Sequence, residues 1–437
     1  MKRELYNDLI SWKNSSNRKP LLLQGARQTG KTYLVTQFAK NEYQDFVYLN
    51  FEQDPDLKTL FAGTLKAEKI IENISLYINK KIEPEYTLLF FDEVQIVPEV
   101  ITSLKYFYEQ SPNFHIIAAG SLLGVSVSSH KSFPVGKVNF LTLYPMNFYE
   151  YLLAFGKELL AEKLKNKTDA EALPELIHKE LIELLKKFLF LGGMPEVLKT
   201  YLDTGDIELI RKIQNEILEA YQRDFSKYTT KREAVRISEV WRSIPYQLSR
   251  ENKKFKFKDV KKGGRASTYE QTMEWLSKAG LINISYNLSV PKLPLQGYAD
   301  LSKFKIYLLD TGLLGALLKL NSSIILKPNE LFTEYNGAFI ENFVASELIS
   351  NKYKNLFYWT SKSDAEVDFI IEQNNKIYPL EVKSGMSRNI KSLRSYYEKY
   401  KPELLIRTSP RNFIRDEEFI NIPLYAICSL KNIIKHS

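Results

Sequence analysis

The octet Gly25-Ala26-Arg27-Gln28-Thr29-Gly30-Lys31-Thr32 stands between the apolar run Pro20-Leu21-Leu22-Leu23 and a helically spaced stretch, Tyr33 to Lys40. A G-x-x-x-x-G-K-[ST] pattern in a strand–loop–helix setting leaves few folds open. Gly25 and Gly30 permit backbone angles that turn successive N–H groups of Ala26, Arg27, Gln28 and Thr29 toward a phosphate, and the following helix adds its N-terminal dipole. Lys31 is expected to reach the β- and γ-phosphates, and the Thr32 hydroxyl to sit on Mg²⁺. The octet implies a nucleoside triphosphate site, with Mg²⁺ as its cation.

A second run, Tyr86-Thr87-Leu88-Leu89-Phe90-Phe91-Asp92-Glu93, reads as a buried strand that ends in two carboxylates. Such a strand lies inside a parallel sheet and opens at its C-terminal end onto the ligand crevice. Asp92 is expected to hold Mg²⁺ through water, and Glu93 to orient and polarise an attacking water. The Glu points to hydrolysis rather than storage of nucleotide. His115-Ile116-Ile117-Ala118-Ala119-Gly120-Ser121 is a further buried strand, with Ser121 as candidate γ-phosphate sensor or simply part of a Gly-Ser turn. With Asp45 to Phe51 and Val138 to Leu143 these strands alternate with helices, which predicts an α/β fold built on a parallel, doubly wound sheet.

At 437 residues the chain is long enough for several cores. With 61 Lys+Arg against 52 Asp+Glu it carries +9, a mild basic bias compatible with nucleic acid. Cys428 is the only cysteine and the four histidines are scattered, which excludes an internal disulfide and a thiolate zinc cage. No apolar stretch approaches the ~18 residues of a spanning helix. The opening residues lack the apolar region of a signal peptide, so a cytoplasmic protein without membrane partners is expected.

The organisation expected is an ATPase core over 1–146, a helical lid over 147–232, a winged helix-turn-helix over 233–320 and a C-terminal α/β domain over 328–437. Arg211, Arg223 and Arg232 are candidate arginine fingers or nucleotide sensors, or ordinary surface ion-pair partners. In the third segment, Ile237 to Leu248 reads as a helix, Ser267 as the cap of a second helix ending at Lys278, and Leu281 to Asp310 as a strand pair. Lys253, Lys254, Lys256, Lys258, Lys261, Lys262 and Arg265 precede that second helix. Such a cluster suits the phosphates of DNA, although winged helices also dock proteins. In the last segment, helical Glu341, strand residue Asp368 and Glu381 of Glu381-Val382-Lys383 form a D…E-x-K layout. That layout predicts hard oxygen ligands for a second Mg²⁺ or Mn²⁺, with Lys383 polarising a water, or else a plain ionic hairpin.

Nine stretches carry a likeness that spans nearly the whole chain. They are Gly25–Thr32, Leu88–Glu93, Ala119–Ser121, Leu143–Met146, Gly192–Pro195, Leu309–Gly312, Gly337–Asn342, Glu366–Phe369 and Glu381–Gly385. In these the chain resembles the prokaryotic AAA-type ATPases that carry a C-terminal domain of unknown function related to restriction-endonuclease folds. The resemblance implies an ATP-driven protein with a winged helix and a nuclease-like module. Two functions stay open: ATP hydrolysis coupled to DNA binding or processing, or a regulatory switch that binds protein partners and keeps the nuclease fold as a scaffold. No arginine follows the fifth strand at a fixed place, so a ring assembly is not implied.

Overall fold

A computed structural model describes residues 1–63, 65–121, 123–125, 133–249, 254–320, 336–361, 365–387 and 389–436. Lys253 lies outside them. The chain divides into two compact units, one of residues 2–144 with 278–280, the other of 145–277 and 281–437 with Met1.

The first unit is a five-stranded parallel sheet in the order β2-β3-β4-β1-β5. Its strands are β1 (Leu21–Gln24), β2 (Asp45–Asn50), β3 (Thr87–Asp92), β4 (His115–Ala119) and β5 (Asn139–Thr142). The fifth is shorter than expected, because Val138 and Leu143 fall outside the pairing, which runs from Leu21↔Asn139 to Gln24↔Thr142. Alternation along each strand feeds two cores. Leu21, Leu23, Leu88, Phe90, Ile117 and Ala119 pack with Leu34, Val35 and Phe38 of helix α2 (Lys31–Glu42) and with Trp12 of α1 (Leu5–Lys13). Leu22, Leu89, Phe91, Ile116 and Ala118 face the other side, against α3 (Ala67–Ile78) and α4 (Pro98–Gln110). Strands covered on both faces read as near-continuous apolar runs, as Leu88 to Phe91 of β3 do, all four buried. β4 lies between β1 and β3, so the ends of these three strands meet at one edge of the sheet.

The second unit opens with helices α5 (Phe148–Ala154), α6 (Glu158–Lys165), α7 (Glu175–Leu191), α8 (Pro195–Thr204), α9 (Ile207–Lys227) and α10 (Lys231–Leu248). Side chains close the starts of three of them: Asn147 and Glu150 form a capping box on α5, Thr230 and Glu233 another on α10, and Asp206 caps α9. The break at Gly192-Gly193 has a steric cause. A Cβ on Gly193 would sit 1.9 Å from the carbonyl oxygen of Met146, whose N–H donates to Gly193 O at 2.7 Å. Two short-range elements follow, α11 (Phe257–Val260) and α12 (Ala266–Lys278). Ser267 is already inside α12 rather than capping it.

An antiparallel pair, β6 (Ile282–Leu288) and β7 (Ala299–Leu308), comes next. Beyond α13 (Thr311–Leu317) and α14 (Asn336–Ser350) lie β8 (Leu356–Thr360) and β9 (Glu366–Val367). β8 pairs in parallel with β6, so the hairpin and the first strands of the C-terminal segment share one sheet, β7-β6-β8-β9. The other sheet, β10-β11-β12-β14-β13, is built from β10 (Phe369–Gln373), β11 (Lys376–Val382), β12 (Leu405–Ser409), β13 (Ile414–Arg415) and β14 (Phe419–Pro423). Helix α15 (Lys391–Tyr400) joins β11 to β12, and α16 (Leu430–His436) closes the described chain.

Candidate nucleotide site and the C-terminal acidic cluster

The glycine octet is the turn between β1 and α2. Gly25 has φ +147° and Gly30, at the helix N-cap, φ +91°. At Gly25 a Cβ would lie 2.2 Å from the Leu143 carbonyl oxygen, so a side chain there has no room. The Thr29 hydroxyl donates to Ala26 O at 2.9 Å and folds the loop upon itself. From outside, Arg3 donates to Thr29 O at 2.8 Å and to Tyr144 O at 2.6 Å. Arg3 is a loop-positioning group that carried no signal in the sequence.

Lys31 is buried, and its ammonium donates to Gly25 O and Ala26 O, each at 2.9 Å. Burial lowers its pKa to about 8; Glu93 and Asp92 oppose the shift and Arg27 reinforces it. Arg27 itself pairs with Glu52 at 3.6 Å. The Thr32 hydroxyl donates to Asp92 Oδ2 at 2.7 Å, and Tyr48 reaches the same oxygen at 3.2 Å. Burial, with Glu93 nearby, raises the Asp92 pKa, against the Thr32 and Tyr48 bonds. Glu93 follows at φ +56°, a left-handed conformation that a non-glycine residue adopts at a cost and that recurs at functional sites. Gln95 donates to Glu93 Oε2 at 2.6 Å, and the Ser121 hydroxyl reaches that oxygen at 3.4 Å.

Lys31, Thr32, Asp92, Glu93 and Ser121 are thereby brought together at the edge where β1, β3 and β4 end. Tyr48 and Gln95 join them. Gln95 stands two residues past Glu93 and had that proximity as a hint; Tyr48 had none. The donor set suits a polyphosphate with a hard cation: an ammonium, backbone N–H groups at a helix start, a hydroxyl and a carboxylate.

The three arginines considered as fingers belong to the second unit. Arg211 is stacked 4.4 Å over Phe190 and donates to Gln214 Oε1 at 2.8 Å. Arg223 pairs with Glu219 at 3.5 Å on the surface. Arg232 lines a cleft of about 420 Å³ with Arg236, Lys261, Lys262 and Tyr269.

The acidic residues of the C-terminal segment do not form the expected ligand set. Among the described residues no group of three or more His, Cys, Asp or Glu side chains is placed to hold a metal ion. Glu381 is buried and turned to Lys383, 2.8 Å away. Burial raises its pKa, with Lys383 and Arg407 opposing. Asp368 accepts from Val382 N at 2.8 Å. Glu341 and Asp368 instead face Lys305, at 3.5 and 3.8 Å, and Glu366 joins them at 2.5 Å. Lys305 sits in the apolar run Phe304-Lys305-Ile306-Tyr307-Leu308; a lone charge in such a strand was the available signal.

Residues 17–152 match the family model described as AAA domain. That match agrees with the parallel sheet and glycine turn of the segment, which has the fold of an AAA domain. Residues 182–324 and 336–427 match two models described as domains of unknown function, DUF8612 and DUF4143. Uncharacterized proteins of Mycobacterium bovis and Mycobacterium tuberculosis are each 37% identical over 93 residues, 21% of this chain and 20% of theirs. The chain therefore aligns with about a fifth of the length of these relatives. A Walker-type ATPase of Pyrococcus abyssi aligns over 72% of this chain and 95% of its own, at 15% identity and a TM-score of 0.44.

Proposed function

We propose that the chain hydrolyses ATP at the glycine turn and couples turnover to nucleic-acid binding in its second unit. The observation that supports hydrolysis is the Thr32–Asp92 contact of 2.7 Å. It brings the hydroxyl that would ligate Mg²⁺ to the carboxylate that would hold the ion's water, beside a buried Lys31. When bound, Mg²⁺ neutralises charge on the β- and γ-phosphates. In this assignment Lys31 leaves the Gly25 and Ala26 carbonyls for the phosphates, and Glu93, held by Gln95 and Ser121, orients the attacking water.

The nucleic-acid part rests on the order α10, α11, α12, β6, β7, which we read as a winged helix, and on its charge. The cleft between α10 and the α11–α12 turn is lined by Arg232, Arg236, Lys261 and Lys262, against a single carboxylate, Glu239. That carboxylate already pairs with Lys261 at 2.9 Å. Backbone phosphates suit such a cleft, and Glu270 and Glu274 on the exposed side of α12 suit base contacts poorly. The test is the ATPase rate with and without duplex DNA at two salt concentrations. Salt-sensitive stimulation by DNA supports the coupling; a rate indifferent to DNA, with no DNA affinity at low salt, refutes it. A second reading, a switch that binds protein partners through the same unit, is favoured by the closed acidic cluster around Lys305.

A further inference from the structure

A nuclease of the D…E-x-K layout needs its carboxylates free for a divalent cation. Here Asp368, with Glu341 and Glu366, faces the ammonium of Lys305, and Glu381 faces Lys383. Lys305 on β7 has no exposed surface. Its Nζ lies 2.5 Å from Glu366 Oε1, 3.5 Å from Glu341 Oε2 and 3.8 Å from Asp368 Oδ1. An ammonium has three donors, and three carboxylates from α14, β9 and the bend after β9 converge on it. The Tyr358 ring on β8 stands 5.1 Å away, a second kind of cation partner. Two further donors reach the carboxylates: Tyr307 donates to Glu341 Oε2 at 3.1 Å, and Val382 N to Asp368 Oδ2 at 2.8 Å. Glu381, the other expected ligand, is held by Lys383.

We propose that Lys305 is the resident cation of this acidic constellation, standing where a divalent metal would be held, and that the cluster is an ionic staple between β7, α14 and β9 rather than a metal-dependent cleavage site. A metal entering among Glu341, Glu366 and Asp368 would either set a second positive charge beside the buried Lys305 ammonium or take its counterions from it. Glu366 is partly exposed, so solvent screens the excess negative charge. The inference is independent of the ATP site, which lies on other residues.

The test is Mn²⁺ alone, titrated into the nucleotide-free full chain and followed by the resonance of free Mn²⁺. Asp92→Ala in every sample silences the nucleotide site. The expected result is no uptake with a Kd below about 1 mM in the otherwise unchanged chain, and none in Lys305→Arg, which keeps a cation. Lys305→Met is expected to take up one equivalent and to gain thermal stability with Mn²⁺. Uptake by the unchanged chain that Asp368→Asn removes would overturn the proposal, as would a folded Lys305→Met that ignores Mn²⁺. If Lys305→Met does not fold, the unchanged chain and Lys305→Arg decide: no uptake that Asp368→Asn removes in either supports the staple, and uptake that Asp368→Asn removes in either overturns it.

Discussion

Gln95 donates its side-chain amide to Oε2 of Glu93 at 2.6 Å, holding the carboxylate that follows β3 in a left-handed turn. A carboxylate fixed this way can present its other oxygen to a water without reorganising. Glu93→Gln is expected to retain ATP binding and to lose ~10²–10³ in turnover, since an amide cannot polarise the water. Gln95→Ala should lower turnover less and leave nucleotide affinity unchanged. Single-turnover hydrolysis beside fluorescent-nucleotide binding checks both. Parent-rate hydrolysis in Glu93→Gln would remove the water-orienting role.

Lys31 titrates near 8 in the nucleotide-free protein because burial disfavours its charge. Phosphates reward the charged form, so ATP binding should take up a proton at pH above 8 and none near pH 6.5. Calorimetry in buffers of different ionisation enthalpy measures that uptake directly. The fold itself gains the corresponding stability only as pH rises from about 8 toward the unfolded value of 10.5, because the unfolded chain binds the proton more tightly. An uptake independent of pH would contradict the burial of this ammonium. Lys31→Ala should abolish turnover.

Asp310 joins distant segments in the second unit. Its Oδ2 accepts from Gly193 N at 2.6 Å and its Oδ1 from Leu313 N at 2.9 Å. Asn can satisfy only one of these donors, so Asp310→Asn is expected to cost about 1–3 kcal/mol. Burial pushes the Asp310 carboxyl up to about 6, against the bonds from Gly193, Leu313 and Gly312. A folded pKa above the unfolded one means stability that is present at acid pH and lost as pH rises from about 4 to 6. The gap between parent and Asp310→Asn in urea unfolding should therefore be larger at pH 4.5 than at pH 7. An equal gap at both pH values would show that this carboxylate is not raised.

For the cleft on α10, Arg232→Gln with Arg236→Gln should weaken duplex binding and flatten its dependence on salt. Each phosphate that the protein no longer neutralises changes the slope of log K against log salt by about 0.9. Neutralising Lys256, Lys258, Lys261 and Lys262 together should act in the same direction. Anisotropy of a labelled duplex at three salt concentrations reads the slope. A slope untouched in both variants would move the binding surface elsewhere.

What could be read from the chain follows how local each signal is. The glycine octet and the Asp92-Glu93 strand end are contiguous patterns whose chemistry depends on neighbours in sequence, and they stand together in space. Tyr48 and Arg3 reach the same site through strand order and a loop approach that leave no local pattern. The carboxylates Glu341, Asp368 and Glu381 were visible as a layout, but the layout could not show which cation they meet. Lys305 reaches Glu341 and Asp368 across strand pairings set by the fold, and Glu381 meets Lys383 instead. Nor does alternation within β6 reveal that its second neighbour is β8, which begins only at Leu356, far beyond the hairpin partner that already satisfies one edge.

That pairing bears on how the protein can be cut and inherited. Removing the chain from β8 onward would strip β6 of hydrogen-bond partners along Ser285 to Leu288 and leave a raw edge open to pairing with other chains. The reverse fragment, starting near residue 328, would leave β8 and β9 as a bare two-stranded ribbon, an arrangement of marginal stability in water. Neither piece is a portable cassette: shuffling between relatives is expected to succeed where the breakpoint keeps β6, β7, β8 and β9 from one parent, and to yield aggregates where it parts them.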